Sequence, residues 1–227
     1  MKHKGIIANP NCSTIIMVMA LKPIYDLAKI KRVIVSTYQA VSGAGKEGID
    51  ELDAQVREHS EGREMTANIL PSASAEKHYP IAFNLIPQID VFCDNLYTKE
   101  EMKMVNETKK IMEDYEMRIT ATTIRVPVYR SHSESVNIEL EKEVDLGAMR
   151  EALAKFPGVT VQDDPSKQEY PMPLYTSEKD DVYVGRLRRD ESCEKSYNMW
   201  VVGDQIRKGA ALNTLQIAET MIKNGWI

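Results

Sequence analysis

Cys12 is the residue whose type and position suggest nucleophilic chemistry in this chain of 227 residues. It stands in residues 8–14, read as ANPNCST, where a turn leads directly into an apolar run with helical spacing. Free N–H groups and the positive dipole end of a helix N-terminus favour an anion such as a thiolate. Because the dipole supplies only about 0.3 to 1 kcal/mol, we expect a lowered pKa for Cys12 together with a second cationic or basic group. An inert buried cysteine is the alternative interpretation.

Two pairs of residues further along the chain have the types that such a nucleophile needs as partners. Arg125 and His132 are seven residues apart, and a histidine can exchange a proton with a thiol. Taken alone, a histidine is more often a turn or core residue. Glu100 and Lys103 stand at i and i+3 in the first turn of a predicted helix, so they share one face. Such a pair is by default a solvated ion contact worth under about 1 kcal/mol.

A glycine-rich stretch at residues 43–48 matches the G-x-G-x-x-G pattern of dinucleotide-binding loops. Four residues separate it from the preceding predicted strand, no alternating series of strands and helices follows, and no strand ends in an acidic residue at the usual distance. We therefore expect a flexible turn that starts a helix rather than a Rossmann loop. Its backbone amides remain candidates for contact with a cofactor that another domain holds.

The composition is that of an ordinary globular protein. Apolar residues make up 43% and charged residues 28% of the chain, and the net charge is −5, so neither nucleic acid nor a membrane is expected as a partner. Three cysteines without C-x-x-C spacing predict neither a disulfide framework nor a zinc or other metal site, and favour a cytoplasmic location. The apolar run at residues 15–21 is too short to span a bilayer, so we expect no secretory signal.

The elements that position these residues indicate an α+β fold. Helical spacing predicts helices at residues 13–28, 49–56, 98–115, 145–153 and 206–223. A capping box of Thr98 and Glu101 opens the third of these helices, and its expected inward face carries Val105, Thr108, Ile111 or Met112, and Tyr115. Alternating or β-branched runs predict strands at residues 6–8, 32–38, 91–92, 118–130, 135–143, 159–161, 182–189 and 195–202. This order favours a mixed, largely antiparallel sheet with helices on one face.

Five ordered blocks resemble aspartate-semialdehyde dehydrogenases along the whole chain. They are Asn9-Pro10-Asn11-Cys12-Ser13, residues 36–45, Thr98-Lys99-Glu100-Glu101, Arg125-Val126-Pro127-Val128 with His132-Ser133-Glu134, and Val202-Gly203-Asp204-Gln205. The resemblance implies a fold like the C-terminal domain of glyceraldehyde-3-phosphate dehydrogenase. It also implies NADP-dependent reductive dephosphorylation of L-aspartyl 4-phosphate to L-aspartate 4-semialdehyde through a cysteine thioester. That reaction belongs to lysine, diaminopimelate, threonine and methionine biosynthesis.

The resemblance also implies roles for individual residues. Cys12 would be the nucleophile, His132 the general acid/base, and Gln39 the residue that orients the substrate at the nucleophile. Four residues would bind the substrate: Arg125 at its carboxylate, Glu100 at its amino group, Lys103 at the phosphate, and Asn11. Three residues would line the nicotinamide side of an NADP site: Ser42, Gly43 and Gln205. Asn213 is a further candidate for that site.

The domain organisation is expected to differ from that of the family. Aspartate-semialdehyde dehydrogenases have a dinucleotide-binding domain before the Asn-Pro-Asn-Cys block, and here only a short stretch precedes it. We expect residues 1–208 to form a catalytic and dimerisation domain, and residues 209–227 a C-terminal helix that would pack on the absent NADP-binding domain. The apolar stripe of this helix, formed by Leu212, Leu215, Ala218 and Ile222, should find cover in a neighbouring chain or stay mobile. The isolated chain should bind NADP poorly and turn over little.

The partners implied are aspartyl phosphate, aspartate semialdehyde, phosphate and a second copy in a homodimer. One alternative is an N-acetyl-glutamyl-phosphate reductase or a glyceraldehyde-3-phosphate dehydrogenase, which share the cysteine and histidine chemistry but should not need Glu100 and Lys103 with Arg125. Another is a non-catalytic homodimerisation module. A cysteine hydrolase is a third, although no orienting Asn or Asp is evident.

Overall fold

The part of the chain that the computed structural model describes, residues 5–227, is built on one six-stranded sheet. Its strands are β1 (Ile30–Gln39), β2 (Arg118–Arg125), β3 (His132–Leu140), β4 (Val159–Val161), β5 (Val182–Arg189) and β6 (Ser196–Gly203). Their spatial order is β2-β1-β3-β6-β5-β4, with β1–β2 and β4–β5 parallel and the other pairs antiparallel. The prediction of a mixed, largely antiparallel sheet is therefore confirmed.

The helices pack on the sheet, and the first of them, α1, lies at the centre. The α-helices of residues 5–227 are α1 (Cys12–Leu27), α2 (Lys46–Ser60), α3 (Lys99–Ile111), α4 (Leu146–Lys155), α5 (Pro173–Thr176) and α6 (Leu212–Lys223). Helix α1 contacts α3, α4 and four strands. Its fully buried Ile16, Met17 and Leu21 share one hydrophobic core with Val136 and Ile138 of β3. Burial of these side chains fixes where the N-terminus of α1 meets the sheet.

Helix α3 begins as the sequence predicts. Thr98 Oγ1 accepts a hydrogen bond from Glu101 N at 3.2 Å, and Glu101 Oε2 accepts one from Thr98 N at 2.7 Å, which completes the capping box. Glu101 Oε1 also accepts a hydrogen bond from Thr123 N of β2 at 3.0 Å. The cap thus attaches the start of α3 to the sheet.

The face that α3 buries differs in part from the predicted one. Thr108 is buried and Met112, the alternative to Ile111, packs partly buried against the core, both as expected. Ile111 and Tyr115 are 42% and 69% exposed. The helix ends at Ile111, so Tyr115 lies beyond it. Glu100 in the first turn is buried instead, because the capping box turns this acidic end of the helix towards the sheet.

Short predicted elements are where sequence and structure disagree most. Residues 6–8 form no strand, because no other strand lies beside them to supply ladder hydrogen bonds. The predicted strand at residues 91–92 is reduced to one bridge between Phe92 and Thr98. Val41–Ala44, inside the predicted flexible loop, forms a 3-10 turn. Between α2 and α3 the chain is otherwise irregular, as expected from its prolines.

The C-terminal helix is less enclosed than any other long helix. A π-helical turn, Arg207–Ala211, leads into α6, and no residue of α6 is buried. In its predicted apolar stripe, Leu215 and Ile222 are 56% and 64% exposed. What covers this stripe remains a prediction, as does the domain boundary at residue 208. No helix within residues 5–227 has both the length and the apolar character to cross a membrane.

Candidate active site

Seven of the ten site residues predicted from the sequence line one cavity of about 370 Å³. They are Asn11, Cys12, Gln39, Gly43, Glu100, Lys103 and Arg125. A larger, mainly apolar cavity of about 970 Å³ lies elsewhere, between α6 and the end of α4. Asn213 lines that second cavity and donates a hydrogen bond to Asn9 Oδ1 at 2.8 Å. Because the reactive side chains converge on the smaller cavity, it is the candidate active site.

The N-terminus of α1 holds Cys12 at this cavity. Asn11 caps the helix, with its Oδ1 accepting a hydrogen bond from Thr14 N at 3.1 Å. Asn11 also donates from Nδ2 to Glu100 Oε1 at 2.8 Å and from its backbone N to Glu107 Oε2 at 2.7 Å. The capping side chain therefore connects the nucleophile-bearing helix to α3. This gives Asn11 a positioning role beside its predicted substrate contact.

The pKa of Cys12 moves in the direction opposite to the prediction. It is raised to about 12, first by burial and then by the negative charge of Glu100. A hydrogen bond at Ser13 N and the charge of Arg125 lower this pKa, but they are outweighed. The helix-end contribution of about 0.3 to 1 kcal/mol is too small to offset desolvation. The expectation of a thiolate in the resting protein is therefore wrong.

His132 is a neutral imidazole in this structure. It is fully buried, and burial followed by the nearby charge of Arg125 holds its pKa well below the usual 6.5. Its Nδ1 accepts a hydrogen bond from Ala40 N at 3.1 Å, so the ring proton is on Nε2. Nε2 has no hydrogen-bond partner in the described part of the chain. His132 is thus arranged to donate a hydrogen bond, rather than to pair with a thiolate as an imidazolium.

Gly43 connects His132 to the cavity. A Cβ at this position would lie 2.7 Å from Arg125 Nη1 and 3.5 Å from His132 Nε2. Since Gly43 lines the cavity together with Cys12, the imidazole and the thiol lie on the same side of the sheet. The absence of a side chain at Gly43 thus lets its backbone pack closely against the buried imidazole and guanidinium.

Glu100 is the centre of a polar network rather than half of a solvated ion pair. Its Oε1 accepts hydrogen bonds from Asn11 and from Gln39 Nε2, the latter at 3.3 Å. Its Oε2 lies 3.4 Å from Lys103 Nζ. The Glu100 side chain is only 8% exposed, whereas that of Lys103 is 45% exposed. A second carboxylate, Asp90, lies 3.2 Å from the same ammonium and was not found from the sequence.

Arg125 and Gln39 are direct neighbours on β2 and β1. The Arg125 guanidinium is almost fully buried, and its Nη1 donates to Ala40 O at 2.7 Å. Burial lowers its pKa, while Glu100 and Cys12 oppose that change. A guanidinium keeps its charge even so, because its ordinary pKa is above 12. Arg125 is therefore a fixed cation on the cavity, suited to a carboxylate.

The residues predicted to contact a cofactor lie beside the cavity. Gln205 Nε2 donates to Ser42 Oγ in a short hydrogen bond, and Gln205 Oε1 accepts one from Ser131 N at 2.9 Å. Both side chains are buried, and these hydrogen bonds already occupy their polar atoms. Gly43 is the exposed residue among the three predicted cofactor contacts. A Cβ on Gly48, in the first turn of α2, would lie 2.5 Å from Val41 O, so this glycine lets the 3-10 turn pack closely against the helix. This stretch differs from a Rossmann loop, because the 3-10 turn Val41–Ala44 separates β1 from α2.

Glu134 is a titratable residue that the sequence interpretation missed. It is fully buried, neither carboxylate oxygen has a hydrogen-bond partner within residues 5–227, and burial raises its pKa well above 4.5. In β3 the alternate residues Val136 and Ile138 are buried on one face. Continuing this alternation backwards from the predicted strand would have placed Glu134 and His132 on the same buried face.

Comparisons with known proteins give the family of this chain. The family described as semialdehyde dehydrogenase, dimerisation domain, matches residues 21–208. An aspartate-semialdehyde dehydrogenase from Aquifex aeolicus is 55% identical over 226 residues, which are 100% of this chain and 65% of the relative. The chain thus spans less than two thirds of that relative's length.

Solved structures show the same fold. The crystal structure of aspartate semialdehyde dehydrogenase II complexed with ASA from Vibrio cholerae superposes with a TM-score of 0.90 at 46% identity, covering 96% of this chain and 62% of that one. An aspartate semialdehyde dehydrogenase with NADP from Candida albicans gives a TM-score of 0.71 at 24% identity, over 98% of this chain and 59% of that one, which shows the fold alone. The resemblance drawn from the sequence is confirmed. Since the family match extends over most of its length, this chain belongs to the semialdehyde dehydrogenase, dimerisation domain, family.

Proposed function

We propose that this chain supplies the catalytic part of an aspartate-semialdehyde dehydrogenase, which converts L-aspartyl 4-phosphate to L-aspartate 4-semialdehyde and phosphate. One observation carries the proposal: Cys12 opens onto a cavity that also presents Glu100, Lys103 and Arg125. The substrate has an ammonium group, a carboxylate and a phosphoryl group, and these three charges match the three charged side chains.

The cavity charges suggest how the substrate is oriented. Arg125 is fixed by its hydrogen bond to Ala40 O and would pair with the substrate carboxylate. Glu100 would accept the ammonium group, and Lys103 would bind the phosphoryl oxygens. These contacts would bring the acyl carbon towards Cys12 at the N-terminus of α1.

Substrate binding would also change the nucleophile. An ammonium group on Glu100 cancels the second-largest cause that raises the pKa of Cys12. The sulfur then attacks the acyl carbon: a bond from Sγ to carbon forms, the carbon–oxygen bond to phosphate breaks, and a thioester remains. The proton of the thiol leaves with the departing group, which is released as hydrogen phosphate. His132 would donate a hydrogen bond from Nε2 to the carbonyl oxygen, which becomes more negative during the attack.

NADP is the cofactor that we propose for the second half-reaction. Gly43 leaves room for a planar ring at the exposed end of the cavity, where a Cβ would lie only 2.7 Å from Arg125 Nη1. Ser42, Gly43 and Gln205 are the residues of this chain that would hold its nicotinamide side. When bound in its reduced form, NADP supplies the hydride that turns the thioester into the aldehyde and returns the sulfur electrons to Cys12.

Several further properties are proposed on the same basis. The protein would act as a homodimer, in the cytoplasm, in the biosynthesis of lysine, diaminopimelate, threonine and methionine. A polypeptide of these 227 residues alone would bind NADP weakly and turn over slowly, since Ser42 and Gln205 already satisfy each other and offer few free polar atoms.

The test is a comparison of two proteins. One is the 227-residue chain, and the other is the same chain joined to the part of the Aquifex aeolicus relative outside the match. We expect phosphate-dependent reduction of NADP by L-aspartate 4-semialdehyde in the joined protein and little in the chain alone. Faster oxidation of N-acetyl-glutamate 5-semialdehyde would indicate the related reductase instead. Absence of both activities in a folded joined protein would contradict the proposal.

A non-catalytic homodimerisation module is the second candidate, and the raised pKa of Cys12 favours it. The two candidates differ in what the substrate does to the thiol. A catalytic site predicts that L-aspartate 4-semialdehyde protects Cys12 from alkylation more than it protects Cys93 or Cys193. A module predicts equal, weak effects on all three cysteines, measured by peptide mass spectrometry.

A further inference from the structure

Lys103 lies between two carboxylates that are held in different ways. Its Nζ is 3.2 Å from Asp90 Oδ2 and 3.4 Å from Glu100 Oε2. Burial lowers the pKa of Lys103, but the negative charges of Glu100 and Asp90 outweigh burial and raise it. Lys103 therefore carries its positive charge, and the two carboxylates already balance that charge before any anion enters the cavity.

Glu100 is the carboxylate that stays in place. It accepts hydrogen bonds from Asn11 at 2.8 Å and Gln39 at 3.3 Å, and its side chain is 8% exposed. These donors belong to α1 and β1, so Glu100 is bound to two separate elements. Moving it would leave Asn11 and Gln39 without acceptors in a buried place.

Asp90 is held less firmly. Its side chain is 33% exposed and lies in the irregular segment between α2 and α3. One of its oxygens accepts from its neighbour Val91 N at 2.8 Å, and the other contacts Lys103 alone among the hydrogen-bond donors of residues 5–227. Rotation of the Asp90 side chain away from Lys103 therefore breaks a single partly solvated ion pair.

The charges that face this point favour such an exchange. The cavity presents Arg125 and Lys103 as cations and Glu47, Asp90 and Glu100 as anions, with Lys99 close to Asp90. A phosphoryl group that approaches Lys103 would meet two carboxylates already in place. Releasing Asp90 to water removes one of these two repulsions and leaves the ammonium free on one side.

We propose that Asp90 is a positioning residue that occupies Lys103 in the resting site and is exchanged for the phosphoryl group of the incoming substrate or of phosphate. This inference rests on the proposed role of Lys103. It makes Asp90 a built-in competitor that lowers phosphate affinity and keeps the Lys103 ammonium pointed into the cavity.

The test uses acetylation of Lys103 by an N-hydroxysuccinimide ester in the 227-residue chain, measured by peptide mass spectrometry. Inorganic phosphate is the probe, and sodium chloride keeps the ionic strength constant. Asp90→Asn suits the test because Asp90 has a φ of 69°, a left-handed conformation that asparagine also adopts. Glu47→Gln is the matched control, because Glu47 lines the same cavity and has no ion pair with Lys103 among those described.

We expect phosphate to protect Lys103, with half-protection in Asp90→Asn at a concentration about two- to fivefold lower than in the wild type. Glu47→Gln should leave the wild-type value unchanged. Without phosphate, Lys103 should react faster in Asp90→Asn, because one of the charges that raise its pKa is gone.

Three results would overturn the inference. If Asp90→Asn needs the same or more phosphate, Asp90 does not compete, while the role of Lys103 stands. If Glu47→Gln shifts the value as much, the effect is general charge and not a property of Asp90. If phosphate protects Lys103 in neither protein, the proposed phosphate-binding role of Lys103 fails as well.

Discussion

The charged wall of the cavity and the buried floor beneath it differ in how fully their polar groups are paired. The charged wall consists of Asn11, Asp90, Glu100 and Lys103, and each of its charged groups has a partner at 3.4 Å or less. The buried floor consists of Arg125, which lines the cavity, and of His132 and Glu134, which are fully buried and do not line it. Within residues 5–227, Arg125 Nε, His132 Nε2 and both Glu134 oxygens have no hydrogen-bond partner. The charged groups of the wall thus all have partners, whereas several polar atoms of the floor have none.

For the function proposed above, this difference would separate substrate binding from reactivity. Side-chain pairs in the wall can be exchanged for substrate charges with little change in the number of contacts. The floor cannot rearrange, because ladder hydrogen bonds on both sides hold β3 between β1 and β6. Buried groups without partners cost stability, and they shift the pKa values of the groups around them. Gln39 joins the two sides, since its Nε2 contacts both Glu100 and Thr37, the residue opposite Glu134.

The largest effect is expected where wall and floor meet, at Cys12. Cys12→Ser should reduce turnover of the joined protein by about 10³-fold or more, because a hydroxyl ionises far less readily than a thiol. Cys193→Ser, at an exposed cysteine, is the control and should leave turnover unchanged. The measurement is NADP reduction under identical substrate concentrations. Comparable activity in Cys12→Ser would place the chemistry elsewhere and remove the basis for the comparison.

The next prediction asks whether the wall controls the floor. Glu100→Gln should lower turnover about 10- to 100-fold, because the substrate ammonium loses its buried partner. The same change should make alkylation of Cys12 in the free chain faster, since one of the two main causes that raise its pKa is removed. Activity and thiol reactivity would then move in opposite directions.

Its control is Glu47→Gln, which removes a carboxylate from the same cavity but is not among the groups that shift the pKa of Cys12. Rates of iodoacetamide labelling at several pH values, with Cys12 followed by mass spectrometry, provide the measurement. Slower or unchanged labelling of Cys12 in Glu100→Gln would show that the two sides are independent.

The titratable residues of the floor should also affect how the free energy of unfolding depends on pH. The folded pKa of Glu134 lies well above 4.5, so the unfolded chain releases this proton first and stability falls as pH rises above about 4.5. The folded pKa of His132 lies well below 6.5, so stability falls as pH drops below about 6.5. Each proton changes the unfolding free energy by at most about 1.4 kcal/mol per pH unit.

Glu134→Gln should therefore lose less stability than the wild type as pH rises above about 4.5, and His132→Asn should lose less as pH falls below about 6.5. Glu139→Gln, on the opposite face of β3, is the control. Urea unfolding at a series of pH values gives the slopes. Parallel pH profiles for Glu134→Gln and the wild type would mean that the floor carboxyl is not held neutral.

Most residues of the charged wall could be predicted from local sequence patterns. The features that were not predicted depend on contacts between residues far apart in the chain. The N-terminus of α1 and the capping box of α3 are readable from a few adjacent residues, so Asn11, Glu100 and Lys103 could be assigned. Asp90 could not, because its position depends on a left-handed backbone within an irregular segment. The sign of the Cys12 pKa shift could not either, since Glu100 is distant along the chain and burial depends on the packed fold.

The smallest effect is expected from a change at Gly209, whose backbone packs against Cys12. A Cβ on Gly209, in the π-helical turn before α6, would lie 3.0 Å from Cys12 Cβ and 3.3 Å from Gln205 Cβ. Gly209→Ala should displace Cys12 by a few tenths of an ångström and lower kcat about two- to tenfold, with KM nearly unchanged because the wall stays intact. Ala211→Ser, at an exposed position of the same turn, is the control. A change confined to KM would mean that the turn supports the wall instead, and would blur the division between binding and reactivity.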